Sequence, residues 1–390
     1  MESLLLLLER FCLIPVIGGS IYAFLCLMAV LHFRKQPRTS SQRSFSKWPP
    51  VTILKPVFGL EKNLKESLRS ACVQDYPEYQ IVYAVQNPQD PAVSILEEIK
   101  EEFGSERVSI AVENIQAGPN RKINNLLGAL PHARYDILVI NDSDVRLNPD
   151  YLKTIIPPLL DSGVGCACTL YRATCGDRWF EKLELLTLNA DFIPSVIFAH
   201  VTGASKFCLG SSLAITRKSL EKIGGLEAFA HYLPEDYEIG RRVWASGQRV
   251  SLVHYFVDIV INLKSFSEWW LHQCYWDQMT RAARPVGFFA TFLTRSVPFA
   301  LFFVVLRLGD SLGWAVLGIA LGIRLATAVA IMGWGTGDRE GARSVLFLLL
   351  RDVIAFMSWF LAFVKETVIW RGTGFTLMRK GQVANREERS

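Results

Sequence analysis

Leu138-Val-Ile-Asn-Asp-Ser-Asp-Val-Arg146 joins an apolar run to a pair of acids. Residues 137–140 read as a buried strand, and the run ends in Asp142 and Asp144. In a strand, residues i and i+2 share a face, so the spacing predicts two carboxylates facing a common point at the carboxyl end of a strand. Open α/β sheets bind ligands at that end. Two hard oxygen ligands there suit Mg²⁺ or Mn²⁺ shared with a substrate diphosphate. Asp and Ser are equally common in plain polar turns, so the surrounding chain has to decide.

Working outward, Val51-Thr-Ile-Leu-Lys-Pro56 reads as a short β-branched strand that carries Lys55 and is stopped by Pro56. The pattern then predicts a helix over 61–73, a strand over 80–85, a helix over 92–103 and a strand near 108–112. Gln86-Asn-Pro-Gln-Asp-Pro91 is turn chemistry, and Gly118-Pro-Asn-Arg-Lys-Ile-Asn-Asn-Leu126 starts a helix with a basic residue. Strands alternating with helices predict an α/β sandwich around a largely parallel sheet, buried on both faces. Further on, 163–171 and 207–215 read as strands, the second broken by small residues at Gly210, Ser211 and Ser212 where a ligand could approach the backbone. Residues 179–200, with Phe192, Val196 and Phe198, read as an interfacial, acceptor-facing or core helix. Leu233-Pro-Glu-Asp-Tyr237 precedes a charged helix over 238–246.

The chain has 390 residues, half of them hydrophobic, and a net charge of +5. Mean hydropathy is positive, at +0.23, which is high for a purely soluble protein. Residues 13–33 form an uncharged apolar run of bilayer-spanning length. Arg34, Lys35, Arg38, Arg43 and Lys47 follow, in a linker over 34–50, and place that loop on the cytoplasmic side. The modest charge is concentrated beside this span and does not call for nucleic acid. Candidate C-terminal spans are 287–306, 312–333 and 345–364, some re-entrant or flat, with Arg295, Arg324, Arg351 and Asp352 needing partners. The expected organisation is an anchor (1–33), the linker, a cytosolic domain (51–285), membrane helices (286–366) and a polar tail (367–390). The eight cysteines show no metal-ligand spacing; Cys166 and Cys168 fit core packing on a strand, in a reducing compartment.

A membrane-anchored α/β domain with Asp-x-Asp after a strand points to transfer from a nucleotide sugar, with the metal screening the leaving diphosphate. The acceptor hydroxyl then needs a base from another loop. Asp236 is the candidate, and its neighbour Glu235 fits as well on local grounds. Either could equally be an ordinary first-turn acid.

The chain resembles a GT-A fold glycosyltransferase, and more narrowly the ceramide glucosyltransferase family (glycosyltransferase family 21), including bacterial hopanoid-biosynthesis-associated glycosyltransferases. The resemblance covers nearly the whole chain. It is carried by Val51-Thr-Ile-Leu-Lys-Pro56, Gln74-Asp-Tyr-Pro-Glu-Tyr79, Asp90-Pro91, Lys122-Ile-Asn-Asn-Leu126, Asp142-Ser-Asp144, Phe207-Cys-Leu-Gly210, Ile223-Gly-Gly-Leu-Glu-Ala-Phe-Ala230, Glu235-Asp-Tyr237 and Trp370-Arg-Gly372. It implies a GT-A domain with one N-terminal and about three C-terminal membrane or interfacial helices. It implies Asp142 and Asp144 as metal ligands and Asp236 as the base. It also implies donor contacts from Lys55, Pro56, Lys122, Asn125 and Asp142, with support from Gly210, Ser211 and Glu235. Two positions depart from the family. Asn87 stands where the first aspartate is expected, with Asp90 a possible substitute. The last motif reads His272-Gln-Cys-Tyr-Trp276, with Tyr275 in place of arginine, so Arg281 or Arg284 would supply the guanidinium. Trp269 and Trp270 read as an aromatic belt at the membrane surface.

The implied reaction is inverting, Mn²⁺- or Mg²⁺-dependent hexose transfer from a UDP-sugar, UDP-glucose first, to a hydroxyl of a membrane lipid, ceramide first. N-acetylglucosamine transfer to a hopanoid polyol, a processive polysaccharide synthase and a non-catalytic relative are the alternatives. The implied location is a multi-pass membrane protein with a cytosolic catalytic domain.

Overall fold

The computed structural model describes residues 2–36, 47–174, 176–370, 373–378 and 381–385. Arg38, Arg43, Cys175, Arg371, Gly372 and the last five residues of the expected polar tail lie outside them. Helix α1 (Glu2–Lys35) comes first. Strands β1 (Val51–Pro56), β2 (Tyr79–Val85), β3 (Val108–Val112) and β4 (Ile137–Asn141) follow, with α2 (Leu64–Cys72), α3 (Ala92–Phe103) and α4 (Arg121–Ala129) between them. Next come β5 (Val145–Arg146), α5 (Tyr151–Leu159), β6 (Val164–Thr174), α6 (Trp179–Leu186) and α7 (Ile193–Val201). Then come β7 (Ser212–Thr216), α8 (Arg217–Lys222), α9 (Glu235–Ala245) and β8 (Arg249–Val260). The helices α10 (Phe266–Ala283), α11 (Pro285–Ala290), α12 (Ser296–Leu306), α13 (Ser311–Ala330), α14 (Arg339–Arg343) and α15 (Phe347–Val364) precede β9 (Thr367–Trp370), β10 (Thr373–Leu377) and β11 (Val383–Asn385).

The chain divides into two compact units. One comprises Gln36–Thr174, Ser205–Asn262 and Gly381–Ser390; the other Met1–Lys35, Cys175–Ala204 and Leu263–Lys380. The expected division kept 51–285 together. Instead α6, α7 and α10 pack with the long helices, because their apolar faces find partners there: Phe198 meets Tyr22 of α1 at 5.4 Å between ring centroids.

The first unit is built on an eight-stranded sheet, β3-β2-β1-β4-β7-β6-β8-β5. β1, β2 and β4 are buried along their whole length, as strands covered on both faces must be. The sheet is mixed rather than largely parallel. β3, β2, β1 and β4 run parallel, whereas β7 is antiparallel to both β4 and β6. The strand expected over 207–215 starts only at Ser212, where pairing with Asn141 begins. Cys166 and Cys168 lie on β6, fully buried, with Cys208 Sγ 2.8 Å from Cys166 Sγ.

Among the described residues of the helical unit, three helices are long and apolar enough to cross a membrane, Ser3–Lys35, Ser311–Thr336 and Phe347–Val364, or four if a bent pair counts as one span. The expected span over 287–306 is a pair of helices, Pro285–Thr294 and Ser296–Leu306, bent by 54°, which fits one broken span or a re-entrant loop. Gly18 and Gly19 let α1 lie against that bend: a Cβ on Gly18 would stand 2.9 Å from Leu293 O, and one on Gly19 2.8 Å from Thr294 O. Cys12, Val16, Phe299, Phe303, Phe356 and Trp359 form the core of this packing. Residues 179–200 break into α6, a π-turn (Thr187–Phe192) and α7. Trp269 is no surface belt residue; it is completely buried against Phe180 and Leu183. The start of the expected tail is an ordered hairpin, β9 antiparallel to β10. Gln278 of α10 donates to the Lys365 and Thr367 carbonyls ahead of it.

Candidate active site

β4 stops at Asn141, so Asp142, Ser143 and Asp144 form a turn closed by Val145 N donating to Asp142 O at 3.3 Å. Asp142 and Asp144 thus lie in the turn that follows the strand, one residue apart, rather than on the strand itself. The turn is held from below. Lys55, at the end of β1 and completely buried, donates through Nζ to Asp142 O at 2.8 Å and Val145 O at 3.2 Å. Burial pulls the Lys55 pKa down to about 8, against the opposing pull of Asp144 and Asp142. Lys55 thus acts on the turn's backbone. Ser143 Oγ donates to Glu61 Oε2 at 2.7 Å, which steadies the turn from its side.

Lys122, in the first turn of α4, is the hub. Its Nζ lies 2.7 Å from Asp142 Oδ1, 2.9 Å from Glu235 Oε1 and 3.0 Å from Gly210 O. Burial opposes its charge, but Asp142 and Glu235 outweigh burial and hold its pKa well above the ordinary lysine value. Asn120 caps α4 by accepting from Ile123 N, and its amide donates to Glu235 Oε2 at 3.2 Å and to Tyr232 O. Glu235 and Asp236 open α9, where its N-terminal dipole favours acids. Asp236 faces Gly210 so closely that a Cβ there would sit 2.9 Å from Asp236 Oδ2. Burial first, and then the charge of Glu235, push the Asp236 pKa up to about 7, against Lys122. Ser211 contributes its carbonyl, accepting from Asp142 N and the Asn141 amide.

Around the head of β1, Asp90 accepts from Gly59 N with both oxygens, at 3.1 and 2.9 Å, and from Ala92 N at the start of α3. Asn87 is exposed and accepts from Gln89 N in a local turn. Pro56 is buried at the end of β1. Asn125 donates to Val57 O at 3.0 Å, while its Oδ1 is buried without a hydrogen-bond partner.

His272, Tyr275 and Trp276 are on α10 in the helical unit and form a group of their own. Trp276 Nε1 donates to His272 Nε2 at 2.7 Å, His272 Nδ1 stands 3.0 Å from Glu184 Oε1, and Tyr275 stacks on the imidazole. Asn120 and Glu61 were not singled out from sequence. The helix-start position of Asn120 was a usable signal; nothing local marked Glu61.

Among the described residues, no group of three or more His, Cys, Asp or Glu side chains converges as a metal cage. Asp142 and Asp144 supply two hard-oxygen donors at a half-buried turn, which fits a Mg²⁺ or Mn²⁺ that takes its remaining ligands from a diphosphate and water.

The mixed α/β sheet, with an acidic turn after its central parallel strands, is GT-A-like in fold. Among solved structures, the chain is similar to a mannosyltransferase from Pyrobaculum calidifontis in complex with GDP-Man and Mn²⁺, with a TM-score of 0.52 and 17% identity over 90% of this chain and 99% of that one. That likeness shows the fold. The family model described as Glycosyl transferase family 21 matches residues 12–383, and the chain belongs to that family. It is 25% identical to ceramide glucosyltransferase 1 of Caenorhabditis elegans over 60% of this chain and 48% of that protein. It is 22% identical to ceramide glucosyltransferase 3 of the same organism over 94% and 82%. The chain spans about half the length of the first of these relatives.

Proposed function

We propose that the protein is an inverting glycosyltransferase that moves a hexose, glucose first, from a UDP-sugar to a hydroxyl of a membrane lipid, ceramide first. The observation that carries this is the Lys122 hub, which gathers Asp142, Glu235 and the Gly210 carbonyl beside Asp236. Asp142 and Asp144 would hold a Mn²⁺ or Mg²⁺ shared with the donor diphosphate, which when bound offsets the charge of the leaving group. The orphaned Asn125 Oδ1 offers a buried acceptor to the nucleoside near Val57. Asp236 takes the proton of the acceptor hydroxyl. That oxygen then bonds to the anomeric carbon as the bond to the diphosphate breaks. A carboxylate tuned to about 7 is well matched to this task at neutral pH. Glu235, committed to Lys122 and Asn120, positions the cluster.

The sugar named on the two worm relatives and the apolar helices support the choice of donor and lipid acceptor. Arg34 and Lys35 at the end of α1, with Lys47 beyond, support a cytosolic face for the sheet unit. The test is purified protein in lipid nanodiscs with Mn²⁺ or Mg²⁺, UDP-glucose and ceramide, with lipid product followed by chromatography. A lipid monoglucoside that disappears in Asp236→Asn, with UDP-glucose binding kept, is the expected result. Near-normal turnover in that variant refutes the base assignment, and polymeric product would make the enzyme a synthase.

A further inference from the structure

Pro234 opens α9 without a side-chain cap, so nothing in the helix itself fixes the first turn that carries Glu235 and Asp236. An uncapped helix start leaves its early N–H groups to outside partners or water. Its place is then set by whatever grips the loop ahead of it. That loop, residues 228–234, is gripped from three sides.

Two grips come from elements next to the site. Asn120, at the start of α4, donates from its backbone N to Ala230 O at 3.0 Å and from its amide to Tyr232 O at 2.6 Å. Arg242 of α9 lies over the rings of Phe229 and Tyr232, its guanidinium 4.8 and 5.6 Å from their centroids. The third grip comes from 150 residues further along the chain. Gln382 pairs with Tyr232 in an antiparallel bridge, and its Nε2 donates to the Tyr232 hydroxyl at 3.0 Å. Val383 N donates to His231 O at 2.9 Å, and the Val383 side chain is completely buried. Gly381 passes against Pro234 with a φ of +80°, and a Cβ on it would stand 2.9 Å from Pro234 Cγ.

These contacts fall where a small displacement matters. Pro234 is one residue from Glu235 and two from Asp236. Glu235 is already held at 2.9 Å from Lys122 and 3.2 Å from the Asn120 amide, and Asp236 leaves no room for a Cβ on Gly210. A misplacement of about 1 Å at a reacting centre can cost about a hundredfold in rate. A segment that only covered surface would need the burial of Val383 and nothing more. Gln382 and Gly381 add directed contacts to the two residues, Tyr232 and Pro234, that lead into the acids.

We infer that residues 381–385 position the base. Gly381 and Gln382, acting through Pro234 and Tyr232, set where Asp236 stands against Gly210 and Lys122. This rests on the reading of Asp236 as the base and adds what holds it in place. Because 381–385 follow α1, α13 and α15 in the chain, the base is fixed only after all of those helices have been made.

The test uses the full chain in nanodiscs. Hydrogen exchange of residues 231–237 is followed by mass spectrometry, and transfer from UDP-glucose to ceramide by chromatography. Gln382→Leu and Tyr232→Phe each remove one end of the same hydrogen bond. Each is expected to speed exchange of 231–237 at least tenfold and to lower kcat about fivefold, with donor KM within twofold of wild type. The double variant should lose no more than either single one, since one contact cannot be lost twice. Gly381→Ala, which presses on Pro234, should lower kcat at least thirtyfold; if it does not fold, the Gln382 and Tyr232 pair decides. A contact that only stabilised the fold would lower the melting midpoint and leave kcat of the folded enzyme unchanged. Wild-type kcat in Gln382→Leu, losses that multiply in the double variant, or a loss matched by a smaller folded fraction overturns the proposal. If wild type glucosylates no ceramide, the reaction reading fails, and the exchange of 231–237 alone decides the positioning.

Discussion

Gly210 has no side chain because Asp236 fills the space one would need. Gly210→Ala should therefore cut kcat at least a hundredfold with little change in donor KM; a normal kcat would show that the carboxylate has room to move. Asp236 also sets a pH dependence. Its folded pKa, about 7, lies above the ordinary 3.8, and the base form is the active one, so turnover should rise with pH through about 7. For stability the sign is opposite. A raised carboxyl pKa favours the fold at low pH, and that contribution is lost as pH rises from about 4 through about 7. Asp236→Asn should thus gain more in melting temperature over wild type at pH 8 than at pH 5, and an equal gain at both would contradict the shift. Asp142 and Asp236 were singled out from motif and spacing and Lys122 from the resemblance, and the structure brings the three together. The contact of Asn120 with Glu235 was not, since it spans 115 residues and no local pattern encodes it.

At the scale of elements, the Asp142–Val145 turn depends on a buried ammonium that belongs to another strand. Lys55→Met would leave two carbonyls without their donor, costing about 2 kcal/mol, read as a lower denaturation midpoint; an unchanged midpoint would mean water replaces the lysine. The alternation of β1–β4 with α2–α4 was legible because apolar runs and amphipathic helices differ in period. The late start of β7 was not, because Cys208 and Gly210 are fixed by tertiary neighbours on β6 and α9. The split of 179–200 was equally hidden: Asn189 in its π-turn donates to Asp338, 149 residues away. Within the spans, Asp352→Asn should strand part of the charge of Arg324 and Arg351, destabilising the helical unit by about 3 kcal/mol. Thermal melting in nanodiscs would measure it, and a neutral result would show that Asp191 alone suffices.

At the scale of the whole molecule, each unit is assembled from three stretches of chain. A contiguous piece covering residues 51–262 would carry α6 and α7 without α1, α10 or α15. Such a piece should aggregate or require detergent, and a monodisperse soluble product on gel filtration would refute this. The interleaving escaped sequence reading because α6 and α7, at eight and nine residues, are too short to register as spans, yet they pack with the helices that do. It also orders events during synthesis. At roughly 5–20 residues per second, about 10–45 s separate the end of α1 from the end of β8. α7 leaves the ribosome within that interval, ahead of β7 and β8, with Tyr22 of α1 already made. The contact of α7 with α1 can therefore form while the sheet is still half built, with β1–β4 made and β7 and β8 yet to arrive.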